Sequence, residues 1–95
     1  MRLVGGTLVY TLNSDVAFRE VDGSILLVNL KSGFYYSLNG TATLVYRLLN
    51  QNKGIPEIIR EICSVYEVPE DTARRDLEEC LETLVREQVL LKQGG

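Results

Sequence analysis

The segment from Ile25 to Leu49 constrains the fold of this chain more than any other. It consists of an apolar strand (ILLVNL), a glycine-containing turn (KSG), a tyrosine-rich apolar strand (FYYSL), an Asn-Gly step and a long apolar run. A strand of this kind, which ends a small sheet and leads directly into a helix, leaves an edge that another chain can pair with. The segment therefore favours binding over catalysis.

The composition excludes most catalytic chemistry. The chain has 95 residues, enough for one domain (1–95) with a modest core, and it contains no histidine. A Ser-His-Asp or Cys-His site is therefore impossible, and the sequence shows neither a cluster of metal ligands nor a phosphate-binding loop. We expect no enzymatic activity, no cofactor and no metal.

Charge and cysteine usage indicate a cytoplasmic protein. The net charge is −3, which gives no general affinity for nucleic acid or for anionic membranes. No apolar run approaches the roughly 20 residues of a membrane span, and the N-terminus lacks a secretory pattern. Cys63 and Cys80 have no CxxC partner, so we interpret them as reduced, buried structural thiols.

Three strands are predicted before the first helix. Asp-Gly between apolar runs is a strong hairpin signal, and Gly33 suits the left-handed position of a three-residue loop. The predicted strands are residues 16–21, 24–30 and 34–38. Alternation along the third strand places Phe34, Tyr36 and Leu38 on one face, with Tyr35 and Ser37 on the other.

The Asn39-Gly40 step has two interpretations. It could close another hairpin, which the β-branched residues after it favour. Alternatively, Asn39 caps a helix that runs to about Leu49. We favour the helix, because the apolar residues that follow recur at helical spacing.

Two further helices and a short closing strand complete the prediction. Ile55-Pro56 begins the second helix, and the third starts at the acidic residues after Pro69 and runs to about Gln88. Val89 to Leu91 forms a short strand or apolar clasp. Residues 1–12 are a possible extra strand, 16–91 form the core of the domain and 92–95 form a tail.

The sequence resembles the PqqD-like family of leader-peptide-binding domains, also called RiPP recognition elements. The resemblance covers about residues 16–91 and is carried mainly by "YYSLNGTA" at 35–42, with generic helical patterning after it. Two positions depart from the family pattern: Gln88 stands where glycine is common, and Asn52 intervenes near the turn before the second helix.

The resemblance implies an α+β, winged-helix-like fold, with a three-stranded antiparallel sheet followed by a three-helix bundle. It also implies that the leader of a ribosomally made precursor adds as a strand beside the third strand, in a groove walled by the third helix. The partners would be that leader and a separate leader peptidase or radical enzyme, and an open edge would allow a homodimer. The site residues would be Phe34, Tyr35, Tyr36, Ser37, Leu38, Arg74, Leu77, Glu78 and Leu81.

Several of these residues have a simpler interpretation. Phe34 and Tyr36 fit the core as well as a site, and Leu77 and Leu81 are more often core residues than pocket residues. Arg74 and Glu78 could form an ordinary ion pair one helical turn apart. Tyr35 and Ser37 are better candidates for contact with an added strand.

Two other functions are weighed against peptide binding. The first is a winged-helix DNA-binding regulator, but residues 70–88 hold seven acidic and three basic side chains, which phosphates would repel. The second is a ubiquitin-like sulfur carrier with a C-terminal diglycine, Gly94-Gly95. Such carriers have a β-grasp fold, whereas the last forty residues here are predicted to form two helices.

Overall fold

The computed structural model describes residues 2–5, 8–38 and 40–94, with side chains described for 10–38 and 40–91. Six strands and three helices follow one another in these ranges. They are β1 (Arg2–Gly5), β2 (Leu8–Leu12), β3 (Val16–Val21), β4 (Ser24–Asn29), β5 (Tyr35–Leu38), α1 (Thr41–Asn50), α2 (Ile55–Tyr66), α3 (Glu70–Arg86) and β6 (Leu90–Gly94).

The central sheet confirms the three predicted strands. Its order is β3-β4-β5 and both pairings are antiparallel. The hairpin between β3 and β4 turns at Asp22 (φ 50°) and Gly23 (φ 81°), which are both in the positive-φ conformation that the Asp-Gly signal predicts. Gly33 (φ 77°) occupies the expected left-handed position before β5.

One face of this sheet packs against the three helices, which confirms the α+β class. Ile25, Leu27 and Leu38 supply the buried positions of the sheet, as alternation along each strand requires. The helices contribute their apolar stripes to the same core. The buried hydrophobic residues of the helices are Val45, Tyr46, Leu48, Leu49, Ile58, Ile59, Ile62, Ala73, Leu77, Leu81 and Leu84.

The connection from β5 to α1 resolves the Asn-Gly ambiguity in favour of the helix. Gly40 precedes the helix with φ 60° and ψ −134°. Residues with a Cβ essentially never adopt this conformation, so glycine allows the chain to change direction within one step. The predicted capping role of Asn39 lies outside the described residues.

Both departures from the family pattern occupy the same kind of helix end. After α3, the N–H of Val89 donates to the carbonyl of Leu84 (2.8 Å) and that of Gln88 donates to Val85 (3.0 Å). This is a Schellman motif, in which a left-handed residue follows the helix, and Gln88 has φ 63° there. Asn52 (φ 61°) plays the same part after α1. Glycine is favoured at this position because it has no Cβ.

A second sheet lies beyond the predicted meander. Its order is β1-β2-β6, again antiparallel, so two strands rather than one come from the N-terminal twelve residues. Residues 92–94, expected as a tail, instead extend β6 along β2. No local pattern could reveal this pairing, because its partners are about eighty residues apart in the sequence, as in Thr11 opposite Leu91.

Within the described residues, no helix is long and apolar enough to span a membrane.

Candidate functional site

The outer edge of β5 has no strand beside it in the described part of the chain. The hydrogen-bond pattern identifies the backbone groups that face this edge. The N–H of Asn29 donates to the carbonyl of Phe34 at 2.9 Å, and residues of an antiparallel pair alternate between facing the partner and facing away. Tyr36 and Leu38 therefore bond to β4, while Tyr35 and Ser37 direct their N–H and C=O groups outwards.

Side chains on β5 do little to block this edge. Neither Phe34 nor any residue of β5 is charged or a proline, the features that commonly prevent strand pairing. Phe34 and Tyr35 are 74% and 68% exposed, whereas Leu38 is 2% exposed and belongs to the core. Tyr36 packs partly on the same core. The edge therefore combines open backbone groups with accessible aromatic surface.

A groove separates this edge from α3. A cavity of ≈ 330 Å³ lies between the end of β5 and the middle of the helix. From the sheet side it is lined by Tyr36 and Leu38, and the start of α1 closes one side. The helix contributes Asp76, Glu79, Cys80, Thr83 and Leu84. These positions are spaced three or four residues apart, so they form one stripe along α3.

The groove continues towards the start of β5. A second cavity of ≈ 310 Å³ lies between Phe34, Tyr36 and the end of α3. Its apolar wall includes Val16, Leu27 and Val89, and its polar wall includes Arg86 and Glu87. Because Tyr36 lines both cavities, they are neighbouring compartments of one groove.

Negative charge is concentrated at one end of the groove. Asp76 is half-buried and Glu79 is exposed, and both line the cavity near Leu38. Cys80 lines the same cavity. Burial raises the pKa of its thiol, and the carboxylates of Asp76 and Glu79 raise that pKa further. Cys80 is therefore a neutral thiol at physiological pH.

The predicted β5 residues lie where the sequence placed them. Tyr36 and Leu38 face the helices, while Tyr35 and Ser37 face away from the core, as the alternation predicted. Phe34 lies just before the strand and lines the second cavity. Whether these residues contact a peptide stays a prediction.

The four predicted α3 residues do not line either cavity. Leu77 and Leu81 are buried in the core, at 2% and 6% exposure. Arg74 is exposed and contacts Glu70 at 3.8 Å, not Glu78. Glu78 is also exposed, and the helical spacing places it away from the groove.

The residues of α3 that do line the groove were not predicted from the sequence. Asp76, Glu79, Cys80 and Thr83 flank the core positions Leu77 and Leu84 on one side only. The helical period locates the apolar stripe, but it cannot tell which of the two borders of that stripe lies beside β5. That choice depends on how α3 crosses the sheet, which is a tertiary property.

Other kinds of site receive no support from the described residues. They contain no group of three or more histidine, cysteine, aspartate or glutamate side chains placed to hold a metal ion. The excess of acidic over basic residues in α3 is unfavourable for DNA, and the comparisons below do not support DNA binding either.

Comparisons with known proteins agree with this geometry. The family model described as "Coenzyme PQQ synthesis protein D (PqqD)" matches residues 24–90. A structure of TbiB1 in complex with the TbiA(beta) leader peptide is 29% identical, with a TM-score of 0.80, over 84% of this chain and 93% of that chain. A lasso peptide synthetase B1 complexed with the leader peptide is 26% identical, with a TM-score of 0.79, over 86% of this chain and 96% of that chain.

A search of curated protein sequences found no significant match. The family match nevertheless spans more than half of the chain and includes β4, β5 and all three helices. It confirms the resemblance on which the predicted fold rested. This chain belongs to the PqqD family.

Proposed function

We propose that this protein binds the leader peptide of a ribosomally made precursor by adding it as a strand to β5. The observation that carries the proposal is the open edge at Tyr35 and Ser37, which borders a groove along α3. Further support comes from the two similar structures, both of which are described as complexes with leader peptides. DNA binding has no comparable support.

Backbone pairing and side-chain burial would share the binding energy. Each hydrogen bond made by Tyr35 or Ser37 would contribute about 0.5–1.5 kcal/mol net, because water is displaced from both partners. These bonds do not depend on the sequence of the peptide. Selectivity must therefore come from peptide side chains that enter the groove, where each buried apolar side chain adds about 1.5–3 kcal/mol.

The bound leader would position the rest of the precursor for a separate enzyme. That enzyme would be a leader peptidase or a radical enzyme, and this chain would supply no chemistry of its own. Its contribution would be a raised effective concentration of the precursor beside the enzyme. The open edges of the free protein also allow it to form a homodimer.

Fluorescence anisotropy tests the binding step. The leader half of a precursor encoded beside this gene is labelled and titrated with the protein, and the core half carries the same label as a control. We expect saturable binding of the leader half, with a submicromolar to micromolar dissociation constant, and none of the core half. Equal binding of both halves, or of neither, would contradict the proposal.

An activity assay tests the role in presentation. The neighbouring enzyme is incubated with full-length precursor, with and without this protein. The proposal predicts faster processing when the protein is present, and no effect on a precursor that lacks its leader. Equal acceleration of both substrates would show that leader binding is not the cause.

A further inference from the structure

The acidic end of the groove carries two carboxylates that form no ion pair among the described side chains. Asp76 and Glu79 line the cavity beside Leu38. Among the described side chains, the ion pairs involve other carboxylates, those of Glu20, Glu57 and Glu70. Two free carboxylates at a groove wall make a favourable position for a cationic group from a partner.

The opposite end of the groove has no net charge. Arg86 and Glu87 both line it, so their charges offset each other. The guanidinium of Arg86 also donates to the hydroxyl of Thr83 at 3.2 Å, which holds it along the helix. The remaining wall has no charged side chain: it combines the apolar and aromatic residues with three uncharged polar ones, which are Val16, Leu27, Phe34, Tyr36, Val89, Asn29, Ser32 and Gln88. An apolar side chain would be more favourable here than a charged one.

The direction of β5 fixes which end of an added strand meets which compartment. β5 runs from the compartment at Phe34 and Tyr36 to the acidic one at Leu38. All strand pairs described in this chain are antiparallel. A strand added in the same way starts at the acidic compartment and ends at the compartment of Phe34. Residues that face the groove alternate along it.

We propose that the groove selects its leader by charge order, with a lysine or arginine facing Asp76 and Glu79, followed by an apolar side chain in the compartment of Phe34. The two side chains stand an even number of residues apart, so that both face α3. This inference rests on the proposed function and specifies the chemistry of the peptide that the site takes.

Charge substitution on both partners tests the proposal. The first measurement compares the wild type with the double variant Asp76→Asn and Glu79→Gln, using the labelled leader half of the neighbouring precursor. The matched control is Glu82→Gln, which removes one negative charge from an exposed position of the same helix outside both cavities. Circular dichroism verifies that each variant is folded.

We expect the double variant to bind about five- to ten-fold more weakly and to lose most of the salt dependence of binding, whereas Glu82→Gln changes little. Replacing the one groove-facing lysine or arginine of the leader with glutamate should weaken wild-type binding more strongly. The reverse variant, Asp76→Lys with Glu79→Lys, should restore binding of that glutamate peptide.

The outcomes separate this inference from the proposed function. If the wild type binds the leader and the double variant binds equally well, charge selection is wrong while leader binding stands. If the basic residue of the leader contributes to binding only when it comes after the apolar residue in the leader sequence, the proposed antiparallel direction of the added strand is wrong. If no leader binds the wild type, both fail together.

Discussion

The central sheet has two outer edges, and they differ in how they are protected. β3 has Arg19 and Glu20 in its second half, and Glu20 forms an ion pair with Arg47 of α1. β5 has no charged residue. The aromatic residue of β3, Phe18, makes an edge-to-face contact with Tyr46 at 5.4 Å, whereas Tyr35 of β5 extends into solvent. Charge and side-chain contacts thus protect one edge only.

The difference indicates which edge is suited to accept a strand. Both edges present backbone groups that do not pair with β4. On β3 the register directs the N–H and C=O groups of Phe18 and Glu20 outwards, and on β5 it directs those of Tyr35 and Ser37 outwards. Only β5 lines both cavities of the groove along α3, whereas β3 contributes Val16 alone, and to one cavity. Open backbone groups are therefore common to both edges, and the neighbouring groove distinguishes them.

The largest expected effect comes from a proline on the open edge. Tyr35→Pro removes an outward-facing N–H without breaking a bond to β4, so the protein should stay folded while leader binding weakens by at least about 100-fold. Fluorescence anisotropy measures the loss, and circular dichroism the helical content. Normal binding by this variant would show that the edge is not used.

The matched control is Glu20→Pro, which makes the same change on the other edge. Glu20 also faces away from β4, and its ion pair is exposed, so the loss of stability should be small. Leader affinity should be unchanged. A comparable loss in both variants would mean that the two edges are equivalent, and the comparison would fail.

The two cysteines provide a probe of the groove in the unmodified protein. Cys80 lines the groove and Cys63 lies on α2, outside both cavities. Because only the thiolate reacts and the pKa of Cys80 is raised, its alkylation should be slow at neutral pH and accelerate as the pH rises towards that pKa. Leader at about ten times its dissociation constant leaves roughly a tenth of the sites free, so it should slow the alkylation by about ten-fold.

Mass spectrometry of peptides from the alkylated protein measures both rates. Cys63 is the internal reference, and its alkylation should not respond to the leader. Asp76→Asn should lower the pKa of Cys80 and move the pH profile of its alkylation to lower pH. If the leader slows the alkylation of both thiols, it reduces the flexibility of the whole protein, and the result is not evidence that it occupies the groove.

A smaller effect is expected at the turn after α3, which lines the compartment of Phe34. Gln88 has a left-handed conformation, which costs residues with a Cβ about 1 kcal/mol. Gln88→Gly should therefore raise the free energy of unfolding by about 0.5–1 kcal/mol, measured by urea denaturation. The control is Glu87→Gly, at φ −85°, where glycine should destabilise by a similar amount. If both substitutions lower the free energy of unfolding, the left-handed conformation of Gln88 does not carry the assigned cost.

The smallest effect concerns the protected edge itself. Glu20→Gln removes the ion pair to Arg47, whose side chains are 49% and 38% exposed. Exposed pairs of this kind contribute less than about 1 kcal/mol, so the unfolding midpoint in urea should change only slightly. Leader affinity should stay the same. A large loss of affinity would assign β3 a part in binding that its position does not predict.

Most of the central fold could be predicted from local signals. Alternation along the strands, the Asp22-Gly23 turn and the apolar stripes of the helices each specify a local structure, and they agree with one another. The family resemblance then supplied their arrangement. The second sheet escaped prediction because its pairing of β2 with β6 joins the two ends of the chain.

The candidate site was only half predictable. The β5 residues followed from alternation, since a strand has two faces and the buried one is apolar. On α3 the core stripe has two borders, and Arg74 and Glu78, named as site residues with the family resemblance or else as an ordinary ion pair, lie on one of them. The crossing of the helix over the sheet instead brings Asp76 and Glu79 beside β5. That geometry arises from packing of whole elements, which no local pattern encodes.

Amide hydrogen exchange, resolved by NMR, tests the central claim most directly. The N–H groups of Tyr35 and Ser37 should exchange rapidly in the free protein and be strongly protected when the leader is bound, because an added strand would accept their hydrogen bonds. The N–H groups of Phe18 and Glu20, on the other edge, should exchange equally fast in both states. Protection at Phe18 and Glu20, or rapid exchange at Tyr35 and Ser37 in the saturated complex, would contradict the account.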